Sequence, residues 1–332
     1  MSIAITEDHR ALAETARSFA DKRNLRGAAR ARLESSDDVL PECWAELAEL
    51  GWLGLHLPED VGGSGYGIDE LVVVVEELAR AVAPGPFAPT VIASAVIAAA
   101  GDNDLKSRVL PGLADGSTVG AVALGGSVTV AEGAASGDAG VVLGAALASL
   151  ILVPVGDDVA VVDATGGGVT IDSPPSLDPS RPSARVTLDG APVTVMVGAR
   201  RVLVDLARVI LSADAVGVAR ECTEMGAAYS KERIQFGRPI AMYQAVKHHC
   251  ANMAVATELA TSAVWDAARA SATGGDQLTY AAAAATTLAA PAADLCANLN
   301  TQVHGGIAIT WEHDAHLYIC LLYTSPSPRD LN

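Results

Sequence analysis

The chain has 332 residues, half of them hydrophobic but only 4% aromatic, and a formal net charge of −17. That acidity repels nucleic acid and anionic membrane surfaces, so neither is an expected partner, although a local basic pocket still suits a small anion. Five scattered cysteines (Cys43, Cys222, Cys250, Cys296, Cys320) lack metal-ligand spacing and follow no secretory leader pattern, which reads as reduced thiols in a cytoplasmic protein.

From Thr6 to about residue 116 the chain reads as helices. Thr6 is an N-cap candidate for a helix over residues 9–22, Pro41 opens a second through "ECWAELAELGWLGL", and Gly51 ends it. The Gly-rich loop "LPEDVGGSGYG" leads to a third helix, "IDELVVVVEELARAVA", before "PGPFAP" breaks the pattern. The apolar run "VIASAVIAAAG" soon meets Asp102 and is too short for membrane insertion.

Over residues 117–200 the texture becomes β-like. Short runs at 118–124, 150–155, 159–163, 169–171, 184–188 and 193–197 alternate with Gly, Pro and Asp turns, as in a small all-β domain. Helical periodicity returns over residues 201–320 with long Ala-rich stretches, which suits a four-helix bundle. The expected fold is therefore multi-domain α+β: an N-terminal helical domain (1–116), a middle small β-barrel-like domain (117–200) and a C-terminal helix bundle (201–320). Residues 321–332 follow no core pattern. "LLYTSPSPRD" resembles the peptide produced when sequencing-adapter read-through is translated, so this segment is expected to be a non-native tail.

Within the last helical region, "ERIQFGRPIAMYQAVKHHCANM" interrupts the periodicity with Gly, Pro and basic groups. An arginine there suits either compensation of a helix C-terminus or a phosphate, which its rigid fork of donors recognises. Further on, "QVHGGIAITWEHDAHLY" carries paired glycines, which either make a turn or let backbone amides approach a ligand. His304, His313 and His316 lack the carboxylate-and-thiol set of a metal site, and none is expected. On the helix after residue 201, Ala207, Ile210, Leu211, Asp214 and Val218 share one face, so Asp214 interrupts an apolar stripe. Such an acid is either paired with an arginine or a backbone amide, or has a catalytic or substrate-gating role. Glu312 and Asp314 read as helix-start residues.

These strings, with the Pro-Glu-x-x-Gly-Gly turn at residues 58–63, resemble the acyl-CoA dehydrogenase family over nearly all of the chain to about Cys320. The resemblance implies FAD lying across a subunit interface. Arg233 would contact its pyrophosphate, with Gln235, Phe236, Tyr243 and Gln244 beside it, and Gln302, Val303, His304, Gly305 and Gly306 would close over the adenosine side. It implies an acyl-CoA substrate, α,β-dehydrogenation of the thioester, a homo- or hetero-oligomer built as a dimer of dimers, and an electron-transfer acceptor. Similarity to short actinobacterial members further implies bulky or sterol-derived acyl groups and a paired enzyme. Two departures stand out. "AEGAASGDAG" is a degraded form of the family's Thr-Glu-x-x-x-Gly-Ser-Asp segment, and all four tryptophans (Trp44, Trp52, Trp265, Trp311) fall outside the β region, so the flavin-stacking Trp is missing. One of the family's two base positions corresponds to Ala207. The other follows the Gln-x-x-Gly-Gly helix, where the odd tail stands, so the resemblance implies Asp214 or a Glu lost there as the base, with an inactive partner subunit as the alternative function.

Overall fold

The computed structural model describes residues 5–35 and 38–324. Six helices come first: α1 (Glu7–Lys22), α2 (Leu25–Arg32), α3 (Trp44–Glu49), α4 (Ile68–Arg80), α5 (Phe87–Ala100) and α6 (Asn103–Ala114). Thr6 does cap α1. Its hydroxyl accepts from the His9 N–H, while its own N–H donates to the His9 ring, so a histidine takes the place that Glu usually holds in a capping box. The unexpected α5 is apolar on every side and correspondingly buried, packed against α6 and the β region.

Seven strands follow: β1 (Gly120–Ala123), β2 (Ser127–Ala131), β3 (Ala134–Leu143), β4 (Leu150–Val155), β5 (Asp158–Asp163), β6 (Val169–Asp172) and β7 (Ser183–Met196). Their order is β2-β3-β1-β4-β5-β7-β6, and β3 also pairs with β7, so the sheet closes on itself as a small barrel. Among the described strands only the β1–β4 pairing is parallel. Two features depart from the sequence reading. The β2–β3 hairpin was not foreseen because its Ala, Gly and Ser content has little strand propensity; pairing with β1 and β7 imposes the conformation. The runs at 184–188 and 193–197 are one strand, because Asp189-Gly190 forms a bulge opposite Ser136 rather than a turn.

The 33-residue α7 (Arg200–Glu232) leads into two short strands, β8 (Ile234–Gln235) and β9 (Arg238–Pro239), then α8 (Gln244–Ala270), α9 (Gly275–His304) and α10 (Ala315–Thr324). Helices α7, α8 and α9 pack together, and α4 packs along α7, so one apolar core runs through both helical regions and onto one face of the barrel. No described helix is long and apolar enough to cross a membrane. From residue 325 the expected tail lies outside the described residues; before that, α10 continues through Thr324 with Leu321 buried.

One half-buried histidine, its Nδ1 sealed from solvent, makes the fold acid-sensitive. Ser94 donates to Val91 O at 3.2 Å, which leaves its oxygen to accept from His56 Nε2 at 3.0 Å. His56 Nδ1 then finds no partner, and burial pushes the imidazole down to about 4 from 6.5. The folded state binds fewer protons than the unfolded chain between those values, so stability falls as pH drops from 6.5 to 4. A shift of this size corresponds to about 3 kcal/mol lost at the acid end. Urea unfolding at pH 7 and pH 4.5 is expected to show that loss in the wild type and a smaller one in His56→Gln.

Candidate functional site

The last turn of α7 ends in a turn with an unusual backbone. Arg233 is extended, its N–H bonded to Tyr229 O at 2.9 Å, and β8 and β9 pair across Phe236-Gly237. Both turn residues have positive φ (51° and 79°), the requirement of a tight two-residue hairpin. Phe236 thus holds a conformation that glycine would adopt more easily, and the residue is 93% exposed. Behind it, the Tyr243 hydroxyl donates to Gln235 O at 3.1 Å, and the Arg238 guanidinium lies 4.4 Å from the Tyr243 ring centre. Gln244 opens α8, exposed. Arg233 is exposed, and its guanidinium makes no hydrogen bond or ion pair with any described residue.

The Gln-x-x-Gly-Gly segment arrives at the same end of the bundle. Gln302 is exposed on the last turn of α9, Val303 is buried, and the buried His304 holds Asn300 O through Nδ1 at 2.9 Å. The His304 ring stacks on Tyr229 with centroids 4.3 Å apart, and His313 lies 4.5 Å beyond. Tyr229 is one turn before Arg233, so this stack joins two motifs that are 69 residues apart in sequence (233 to 302). Burial pushes His304, His313 and His316 below the ordinary imidazole range, which favours neutral rings. Gly305 has φ 65° and ψ −139°, a region open almost only to glycine, and an added Cβ at Gly305 or Gly306 would meet no atom of the chain.

Asp214 lies elsewhere. It sits 19 residues before Arg233 on α7, about 28 Å along the helix at 1.5 Å per residue. Its Oδ1 accepts from Arg181 Nη1 at 2.7 Å, so the acid on the apolar stripe has an arginine partner. Arg181 drew no notice in the sequence; a lone basic residue between Ser180 and Pro182 was its only signal. Both line a cleft between the α4–α5 junction, the end of β3 and α7. Ala207 is fully buried, and Glu312 is exposed. Asp314, just before α10, holds Arg30 at 2.5 Å. On the barrel, two polar groups of the degraded motif are engaged, Asp138 with Arg185 at 2.9 Å and the Gly140 N–H, and Ser136 with the Gly190 N–H, while Glu132 is exposed. Among the described residues the group of metal-ligand type is His9, Asp69 and Glu70, where Glu70 pairs with His9 at 3.3 Å and accepts from the Gly67 N–H.

A barrel thus stands between two helical regions, with an arginine hairpin and a paired glycine turn at one bundle end, the three-part order of an acyl-CoA dehydrogenase. Comparisons with known proteins agree. The chain matches the acyl-CoA dehydrogenase N-terminal domain over residues 6–117 and the C-terminal domain over residues 199–320. It is 33% identical over 337 residues to the acyl-CoA dehydrogenase IpdE2 of Mycobacterium tuberculosis, covering 98% of this chain and 95% of that protein. To the acyl-CoA dehydrogenase FadE34 of the same organism it is 43% identical over 289 residues, 86% of this chain but only 40% of FadE34's length. Among solved structures, the Tcur3481-Tcur3483 steroid ACAD superimposes with a TM-score of 0.89 at 30% identity, covering 98% and 96% of the two chains. The chain belongs to the acyl-CoA dehydrogenase family of flavin-dependent oxidoreductases.

The two glycines are expected to behave differently on substitution. Gly305→Ala strains the backbone and costs about 1–3 kcal/mol of stability. Gly306→Ala, whose φ lies outside the left-handed region and whose Cβ has open space, leaves thermal unfolding unchanged. Melting curves of the two variants test this.

Proposed function

We propose that this chain is a subunit of an FAD-dependent acyl-CoA dehydrogenase that completes its active site with a neighbouring chain and takes bulky, steroid-type acyl-CoA thioesters. The observation carrying this reading is the exposed, unbonded Arg233 at the same bundle end as Gly305 and Gly306, where the backbone is open. A guanidinium fork suits a pyrophosphate, and bare glycine amides suit close approach of the adenosine side. Gln235, Phe236, Tyr243, Gln244, Gln302, Val303 and His304 complete that half. The exposed Phe236 ring is the kind of surface that a second chain and its cofactor would cover.

FAD, when bound, supplies the hydride acceptor for the β-carbon of the thioester, and reduced flavin would pass its electrons to an electron-transfer acceptor. The residues fit its ADP half better than its ring. Asp138 and Ser136 are engaged within the barrel, and no tryptophan stands in the β region. The α-proton needs a carboxylate with nothing else to neutralise it. Residue 207 is alanine and Asp214 faces Arg181, so the complementary chain is the better source. The steroid-type substrate is supported by the likeness to the Tcur3481-Tcur3483 steroid ACAD. A second reading, a subunit that donates cofactor contacts without chemistry of its own, is favoured by the same Ala207 and the same engaged Asp138.

Arg233→Ala is expected to weaken FAD retention in the assembled protein roughly tenfold or more, the scale of losing charge-assisted hydrogen bonds. Far-ultraviolet circular dichroism should stay unchanged, because Arg233 supports no described side chain. Unaltered flavin content in an intact oligomer refutes the assignment.

A further inference from the structure

The cleft that holds Asp214 is lined mostly by apolar residues, with one ion pair, Ser183 and, from α10, Leu321 and Thr324 also in its wall. Val75, Leu78, Phe87, Pro89, Leu143 and Leu211 supply much of its wall, and Arg181 and Asp214 are the only charged side chains among its described lining. An ion pair in such a wall is costly, because both charges lose water. The surrounding backbone nevertheless holds this one in place. Ser180 O accepts from the Gly85 N–H at 2.8 Å, Arg181 Nε donates to Ala83 O at 3.2 Å, and the buried Asp178 secures Ser180 through its N–H and hydroxyl.

That geometry leaves unused valence. Arg181 uses Nε and Nη1, and Asp214 uses Oδ1; among the described residues, Arg181 Nη2 and Asp214 Oδ2 bond to nothing. Neither atom is among the buried ones without a partner, so each keeps some exposed surface, and both residues line the cleft. One residue of a bonded pair therefore offers a donor and the other an acceptor, in mostly apolar surroundings. A hydroxyl satisfies both, accepting from the guanidinium and donating to the carboxylate, whereas a methylene in the same place leaves both without a partner. Sites of this kind discriminate strongly against the analogue that lacks the polar group.

We infer that the Arg181–Asp214 pair is a specificity element that selects acyl groups carrying a hydroxyl on their alicyclic portion. This rests on the proposed reading of the chain as an acyl-CoA dehydrogenase subunit, with the cleft as the place of the acyl group. It assigns Asp214 to recognition rather than to proton abstraction.

Matched thioesters provide the test: 3-cyclohexylpropanoyl-CoA against its 3- and 4-hydroxycyclohexyl counterparts, titrated calorimetrically into the purified full chain. The wild type is expected to bind at least one hydroxylated thioester about tenfold more tightly than the plain one, the scale of a hydrogen bond to a charged group. The paired variant Arg181→Met/Asp214→Leu, which removes both charges together, should lose that preference while still binding the plain thioester. Circular dichroism confirms that the variant is folded, and the wild-type comparison stands without it. Equal binding of plain and hydroxylated thioesters by the wild type overturns the inference while leaving the acyl-CoA reading intact. So does a preference that survives in the variant. Failure of the wild type to bind any of the thioesters overturns both.

Discussion

Arg80, at the C-terminal end of α4, is 7% exposed and so must keep its charge where water cannot help. It does so through Glu221 at 3.0 Å and Glu224 at 2.5 Å, both on α7. Its carbonyl accepts from Tyr318 of α10 at 2.7 Å and from Arg26 of α2 at 3.2 Å, and Arg26 returns to Glu221 at 2.6 Å. Gly217 lies where α7 meets the α4 backbone, and a side chain there would collide with Glu76 O. Four helices from the two ends of the chain thus meet at a single residue, α7 through its buried cation and α2 and α10 through its carbonyl. Removing one partner from such a set is far more damaging than the net worth of any one pair.

This junction fixes how α7 is rotated, and that rotation decides what each end can do. With Glu221 turned toward α4, Asp214 two turns earlier meets Arg181 in the cleft. At the far end, Tyr229 meets His304, and Arg233 leaves the helix toward open surface. The recognition cleft and the arginine hairpin are therefore set by one rigid element. In the proposed assembly the first would serve this chain's own substrate, and the second a cofactor shared with its neighbour.

Much of this was legible in the sequence because it depends on local rules. The Thr6 cap, the helical periodicity, the Gly turns and the strings around Arg233 and Gln302 all carry their meaning within a few residues. What escaped was non-local. The β2–β3 hairpin is a strand pair by virtue of its neighbours in the barrel, against its own propensity. Asp214 stood out as an acid on an apolar stripe, but its partner lies 33 residues earlier in a loop with no helical or strand pattern. The Tyr229–His304 stack, which brings the two C-terminal motifs together, left no mark in either string. Side chains that meet only after the helices pack are not legible in a single sequence.

In the proposed assembly this chain holds one half of a flavin site well and the other half poorly, so that chemistry requires a second chain. Flavin stoichiometry and acyl-CoA oxidation, measured on the chain purified alone and again with a complementary acyl-CoA dehydrogenase subunit, test it most directly. Well under one FAD per chain and no appreciable turnover are expected of the chain alone, with both restored on assembly. A homo-oligomer carrying one FAD per chain and oxidising acyl-CoA at ordinary rates by itself would contradict it.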